Sequence, residues 1–159
     1  MSNIEVTSVE QLRSYIGQQT GIGPWLLVTQ EMVNGFADVT GDQYFIHTDP
    51  ERAKQTMFGG TIAHGFLTLS LIAGHLGHNA TGMWVNLPGM KNLVNYGLNR
   101  VRFIAPVPVG KRIRLRRKLL AVAEDPNRRW VQTTSEATVE IEGGDRPAMI
   151  AEAIGRMYF

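Results

Sequence analysis

The stretch Ala63-His64-Gly65-Phe66-Leu67-Thr68-Leu69-Ser70-Leu71-Ile72-Ala73-Gly74-His75-Leu76-Gly77-His78 carries Leu or Ile at 67, 69, 71, 72 and 76 and contains no Asp, Glu, Lys or Arg. Its apolar groups face nearly all round a helix, and such a helix is stable in water only when other structure wraps it. The weakly polar part, residues 65–77, is 13 residues long, short of the ~20 that a membrane-spanning helix needs. It therefore reads as a buried helix over residues 63–78.

The sequence that follows supplies the wrapping. Residues 95–103, 111–120, 130–141 and 148–158 alternate apolar and polar side chains and are bounded by Pro, Gly or Asn turns, which predicts four long antiparallel strands. One apolar helix followed by a run of strands describes an α+β domain, a curved antiparallel sheet wrapped around a long central hydrophobic helix, which is the hotdog arrangement. A sheet of this kind has edges to protect. Pairing of two subunits into one continuous sheet, a homodimer, is the expected solution.

Upstream, Ser8 followed by Gln11 forms a capping-box pattern for a short helix with Val9, Leu12, Tyr15 and Ile16 at helical spacing, ending at Gly17. Residues 25–28 are a brief apolar run. Thr29 can cap a helix carrying Met32, Val33, Phe36, Ala37 and Thr40, stopped by Gly41. Residues 42–48 read as a loop, and Asp49-Pro50 as an N-cap with Pro at the first helical position.

With 159 residues, 43% of them hydrophobic and 19% charged, the chain suits one globular domain over residues 1–159. It holds no Cys, which excludes a disulfide framework, a thiolate zinc site and a cysteine nucleophile. No basic segment followed by an apolar run opens the chain, so it reads as cytosolic. The net charge is only +2, yet all 14 acids lie outside residues 53–123, which hold ten of the 16 cations. That segregation predicts a positive surface region and an anionic ligand or partner. On strand 111–118, alternation puts Arg112, Arg114, Arg116 and Lys118 on one face, either as a solvated outer face or as an attractor of that anionic ligand or partner. Neither a recognition helix nor basic-aromatic interleaving supports nucleic-acid binding.

Two segments carry candidate chemistry. Asp42 and His47 stand five residues apart across a loop that can curl to bring a carboxylate and an imidazole onto one water. Taken alone, such a pair is more often a cap or a surface pair than a catalytic dyad. At Thr61-Ile62-Ala63-His64-Gly65-Phe66, the Gly65 N–H lies at a helix start without an intrahelical acceptor, where it can polarise a carbonyl oxygen. His64 reads as a buried or capping imidazole. His64, His75 and His78 would spread along a continuous helix, with His64 and His75 about 16 Å apart, too far for a shared metal ion, and no metal site is expected.

Thr40-Gly41-Asp42 with His47-Thr48-Asp49-Pro50, Ile62-Ala63-His64-Gly65, and Phe103-Ile104-Ala105-Pro106-Val107-Pro108-Val109-Gly110 together resemble the MaoC-like dehydratases. These are the (R)-specific enoyl-CoA hydratase family of the hotdog superfamily, and the likeness is to its nodulation protein N-like subgroup. The resemblance runs from about Thr29 to the C-terminus. It implies Asp42 and His47 as the hydration pair and Gly65 as backbone donor to a thioester carbonyl, with no metal or redox cofactor and acyl-CoA or acyl carrier protein as carrier. The chain departs from the family's Gly-Asp-x-Asn-Pro-x-His pattern, because Tyr44 and Phe45 stand where Asn and Pro are expected. Loss of the rigid Pro falls on loop geometry and on chain-length preference, and Tyr44 and Phe45 are candidates to line an acyl tunnel. Two rival readings stay open: an acyl-CoA thioesterase, for which the absence of acids in 53–123 is unfavourable, and a non-catalytic acyl-thioester-binding subunit.

Overall fold

The computed structural model describes residues 3–159. Strand β1 (Ile4–Val6) leads into helix α1 (Val9–Ser14), where Ser8 Oγ accepts the Gln11 N–H at 3.1 Å and Gln11 Oε1 accepts the Thr7 N–H at 3.0 Å. These bonds satisfy donors that the first turn of a helix leaves free. After strands β2 (Gln19–Ile22) and β3 (Leu26–Leu27), helix α2 (Gln30–Thr40) starts as expected, with Thr29 Oγ1 accepting the Met32 N–H. It stops where Gly41 takes φ +78°, a left-handed cap that suits glycine. Val33 and Ala37, four residues apart, put its apolar stripe into the core.

Two short helices follow, α3 (Phe45–Thr48) and α4 (Pro50–Ala53), the second capped by the Asp49 carboxylate on the Arg52 N–H. The predicted loop 42–48 thus contains one helical turn, too short to show a periodicity in sequence. Helices α5 (Gly65–Leu71) and α6 (His75–His78) precede strands β4 (Thr81–Val85), β5 (Asn92–Phe103), β6 (Arg112–Glu124), β7 (Trp130–Ile141) and β8 (Met149–Tyr158). The four long strands agree with the sequence reading. The sheet order is β1-β4-β2-β6-β7-β8-β5, with β3 beside β6, and every pairing is antiparallel except β1 with β4. Strands β1 to β4 have two to five residues each, too few to register as alternation.

The fold class is the expected one, a sheet wrapped on a buried helix, but that helix is shorter than predicted and broken. Leu67, Leu71, Ile72 and Leu76 bury against Ile113, Leu115, Val139, Met149 and Ala151, each large side chain contributing about 1.5–3 kcal/mol of transfer free energy. The break falls at 72–74. In a continuous helix the Ile72 carbonyl would accept the Leu76 N–H; here it accepts Arg117 Nη2 at 3.0 Å, and Gly74 has φ −96° and ψ −115°, outside the helical region. A second cluster of Val6, Leu12, Leu87, Leu119, Val131 and Met157 fills the other end of the sheet under α1.

Part of the positive charge concentrated in residues 53–123 is paired in the fold. Antiparallel pairing sets the acids of β7, of the turn that follows it and of β8 beside the cations: Arg112 bonds Glu142, Arg114 and Arg116 both bond Glu140, at 2.6 and 2.7 Å, and Arg100 bonds Glu152. Although partial burial raises it, bonds from Arg114 and Arg116 hold the Glu140 carboxyl below its ordinary range. Among the described residues no helix is long and apolar enough to cross a membrane.

Candidate active site

The site is built where α3 meets the start of α5. The segment Thr61-Ile62-Ala63 is held on both sides: the Ile62 N–H donates to the Ile46 carbonyl (3.1 Å), the Ala63 N–H to Val107 (2.8 Å), and the Val109 N–H to Thr61 (2.9 Å). Residues 107–109 thus clamp the helix start from the side opposite α3. Gln30, the first residue of α2, ties the same parts together. Its Nε2 donates to the His47 carbonyl at 2.7 Å, and its Oε1 accepts the Thr61 hydroxyl at 2.6 Å.

Within this frame the His47 Nδ1 lies 2.7 Å from the Ile62 carbonyl. A carbonyl only accepts, so Nδ1 carries the proton and Nε2 is left with its lone pair. Burial lowers the His47 pKa below the ordinary imidazole value; the Ile62 carbonyl opposes this, nearby His64 adds to it, and Asp42 opposes it. A neutral imidazole with a bare Nε2 is the form that can take a proton at neutral pH.

His64, the N-cap of α5, is 2% exposed. Its Nε2 donates to the Asp42 carbonyl at 3.0 Å and its ring stacks on His47 with centroids 3.9 Å apart. Of the two expected roles, buried or capping, His64 takes the buried one: its side chain makes no cap bond to α5 and instead holds the loop that carries Asp42. Its Nδ1 is buried with no hydrogen-bond partner. Ring nitrogens of both histidines and a carboxylate oxygen of Asp42 lie within 4.8 Å of one another, a grouping that invites a metal reading. Imidazole lone pairs lie in the ring plane, however, and planes stacked 3.9 Å apart at 29° converge well beyond the ~2 Å of a metal–nitrogen bond. His75 and His78 sit exposed on α6, apart from this cluster.

A cleft of about 320 Å³ opens beside His47, which lines it with Gly65, Thr68, Phe103, Ile104 and Ala148 among others. Gly65 is the first residue of α5, so its N–H has no acceptor within the helix. Its lack of a side chain is required by packing, since a Cβ there would lie 2.9 Å from the Phe103 ring. The structure thus sets His47 between its two predicted partners, clustered with the Asp42 carboxylate and sharing the cleft with Gly65, while Asp42 itself does not line the cleft. Tyr44 and Phe45 do not border the cleft. Tyr44 is 57% exposed, and the Phe45 ring lies under the Arg52 guanidinium, 4.3 Å from its carbon. Sequence reading missed Gln30, because a glutamine after a capping threonine carries no signal beyond helix propensity.

Comparison with known proteins adds four observations. The family model described as MaoC like domain matches residues 11–141. The 3-hydroxyacyl-thioester dehydratase Z of Mycobacterium tuberculosis is 49% identical over 149 residues, covering 94% of this chain and 95% of that one. Nodulation protein N of Rhizobium leguminosarum bv. viciae is 42% identical over 159 residues, covering 96% and 92%. Among solved structures, an (R)-hydratase from A. caviae involved in PHA biosynthesis superposes with a TM-score of 0.68 at 28% identity, covering 88% of this chain and 94% of that one.

Proposed function

The chain belongs to the MaoC-like dehydratase family, and on that premise we propose that it reversibly hydrates trans-2-enoyl thioesters to (R)-3-hydroxyacyl thioesters, with CoA as the carrier. The observation that carries this reading is that the His47 ring, which lines one cleft with Gly65, also lies in the cluster that holds the Asp42 carboxylate. Asp42 and His47 together orient one water. As its oxygen bonds to C3, the pair takes a proton from it and returns a proton to C2. The Gly65 N–H stabilises the enolate-like charge that gathers on the thioester oxygen in between. Nothing in this sequence of steps calls on a metal or a redox cofactor.

A homodimer is part of the same proposal. Strand β5 pairs only with β8 among the described residues, leaving one edge of a 12-residue strand open. Leu93, Val94, Tyr96, Leu98 and Phe103 along it are exposed, with Phe66 of α5 beside them. An edge of this length and polarity is the kind that a second copy covers.

The test is loss of enoyl absorbance with crotonyl-CoA and longer trans-2-enoyl-CoAs, with chiral analysis of the product. Asp42→Ala and His47→Ala are each expected to lower kcat by about 10²–10⁴ while retaining wild-type circular dichroism. Wild-type turnover in either variant overturns the assignment. Release of free thiol in place of hydration would point to a thioesterase, and acyl-CoA binding without turnover to a non-catalytic subunit.

A further inference from the structure

The inward face of β6 reads Ile113, Leu115, Arg117, Leu119. The three apolar members are fully buried, and the position between them carries a guanidinium. Among the described residues no carboxylate pairs with Arg117, whereas Arg112, Arg114 and Arg116 on the outward positions of the same strand all have one. The side chain of Arg117 makes a single hydrogen bond, from Nη2 to the Ile72 carbonyl at the end of α5. Burial pushes its pKa down from the ordinary arginine range, so the surroundings work against its charge. None of its other nitrogens is a sealed orphan. Arg117 is also one of the residues that line a cavity of about 380 Å³.

The cavity exists because the sheet carries small residues there, Ser135, Ala137, Ala153 and Gly155, opposite Leu69 and Ile72 of α5. Its apolar lining is interrupted by three polar residues besides Arg117: Thr133, Ser135 and Asn95. It runs along the same helix as the cleft at His47: the cleft is bordered by Gly65 and Thr68, the cavity by Leu69, Ile72 and Ala73. The seven residues from Gly65 to Ile72 advance about 10 Å at helical rise, the span of a medium-length acyl chain.

We propose that this cavity receives the far end of the acyl chain and that Arg117 selects thioesters whose chain ends in a carboxylate. The inference rests on the enoyl-thioester reading above and adds the substrate class to it. A guanidinium held in low dielectric without a counterion matches a carboxylate in charge and in fork geometry. A methyl end would strip water from the cation and give nothing in return, so discrimination works from both sides.

The experiment compares enoyl-CoA pairs of equal length, one member ending in methyl and one in carboxylate, across a graded series, with wild type and Arg117→Gln. Gln removes the charge and keeps a neutral polar side chain at the cavity wall. Wild type is expected to favour the carboxylate end by about 10- to 100-fold in kcat/KM at the lengths that reach Arg117, and the variant to lose that ratio. A preference for the methyl end at every length in wild type, or a variant that slows both members alike, overturns the proposal and leaves Arg117 as a cap on α5. Calorimetry with octanoate and octanol separates the two readings if no enoyl thioester is hydrated. Wild type binding octanoate at least about 10-fold more tightly than octanol supports the carboxylate site alone, and equal binding of the two overturns it.

Discussion

At the scale of single residues, the site turns on which ring nitrogen each histidine exposes. His47 spends Nδ1 on the Ile62 carbonyl and His64 spends Nε2 on the Asp42 carbonyl, so both tautomers are set by backbone acceptors. Because burial keeps the His47 pKa below the ordinary 6.5 or so, its base form persists into mildly acid solution. The plot of kcat/KM against pH is expected to fall on the acid side with a midpoint below that of a free imidazole. The sign for stability is the same. Below the ordinary imidazole pKa the unfolded chain takes up a proton that folded His47 resists, so its contribution is present at neutral pH and lost as the pH drops through the folded value. His64 lowers the His47 pKa through space. His64→Phe keeps an aromatic ring in the stack and is expected to raise the His47 midpoint and lower kcat, read by NMR titration of the His47 ring and by the rate profile. An unmoved midpoint would show that the stacked ring serves packing alone.

At the scale of elements, the start of α5 is defined by a contact between a glycine and a distant aromatic ring. Gly65→Ala removes neither a hydrogen bond nor a charge, and alanine is the better helix former. Even so, the added Cβ meets Phe103 at 2.9 Å, and the variant is expected to lose about 1–3 kcal/mol of stability by overpacking, measured by urea denaturation. Combining it with Phe103→Leu is expected to restore much of that loss. If the double variant is no more stable than the single one, the ring is not the cause. The end of α5 is decided in a similar way, by Arg117 reaching across from β6 to take the Ile72 carbonyl. Gly77 lies under this junction, where a Cβ would come within 2.7 Å of the guanidinium.

At the scale of the whole molecule, the sheet has two different edges. One ends on the three-residue β1, a short strand of the kind that blunts an edge. The other ends on β5, long and apolar, interrupted by register shifts between Asn95 and Gly97 and between Leu98 and Val101. Dimerisation through β5 predicts that lysines there abolish association. Val94→Lys combined with Leu98→Lys is expected to move the mass measured by light scattering from two chains to one, with the far-ultraviolet circular dichroism preserved. A wild-type protein that is monomeric at all concentrations, or a double variant that still dimerises, would place the interface elsewhere.

Local pattern alone was enough for the features whose cause is local. The caps at Ser8, Thr29 and Asp49, the stop at Gly41 and the four long strands follow from side chains acting within a few residues of themselves, and they stand in the structure as the sequence predicts. The helix start at His64-Gly65 and the approach of Asp42 to His47 across five residues were legible for the same reason. The break in the central helix was not, because its cause is an arginine 45 residues away. Nor was the pairing of Arg112, Arg114 and Arg116, since the acids that meet them arrive only through the register of β6 with β7. Alternation put Arg112, Arg114 and Arg116 on one face and so left Arg117 on the other, but whether that face met water or a cavity depends on which strands and helix close over it. Charge, packing and cavities are properties of what lies across the fold, and only the tertiary structure brings those groups within reach of one another.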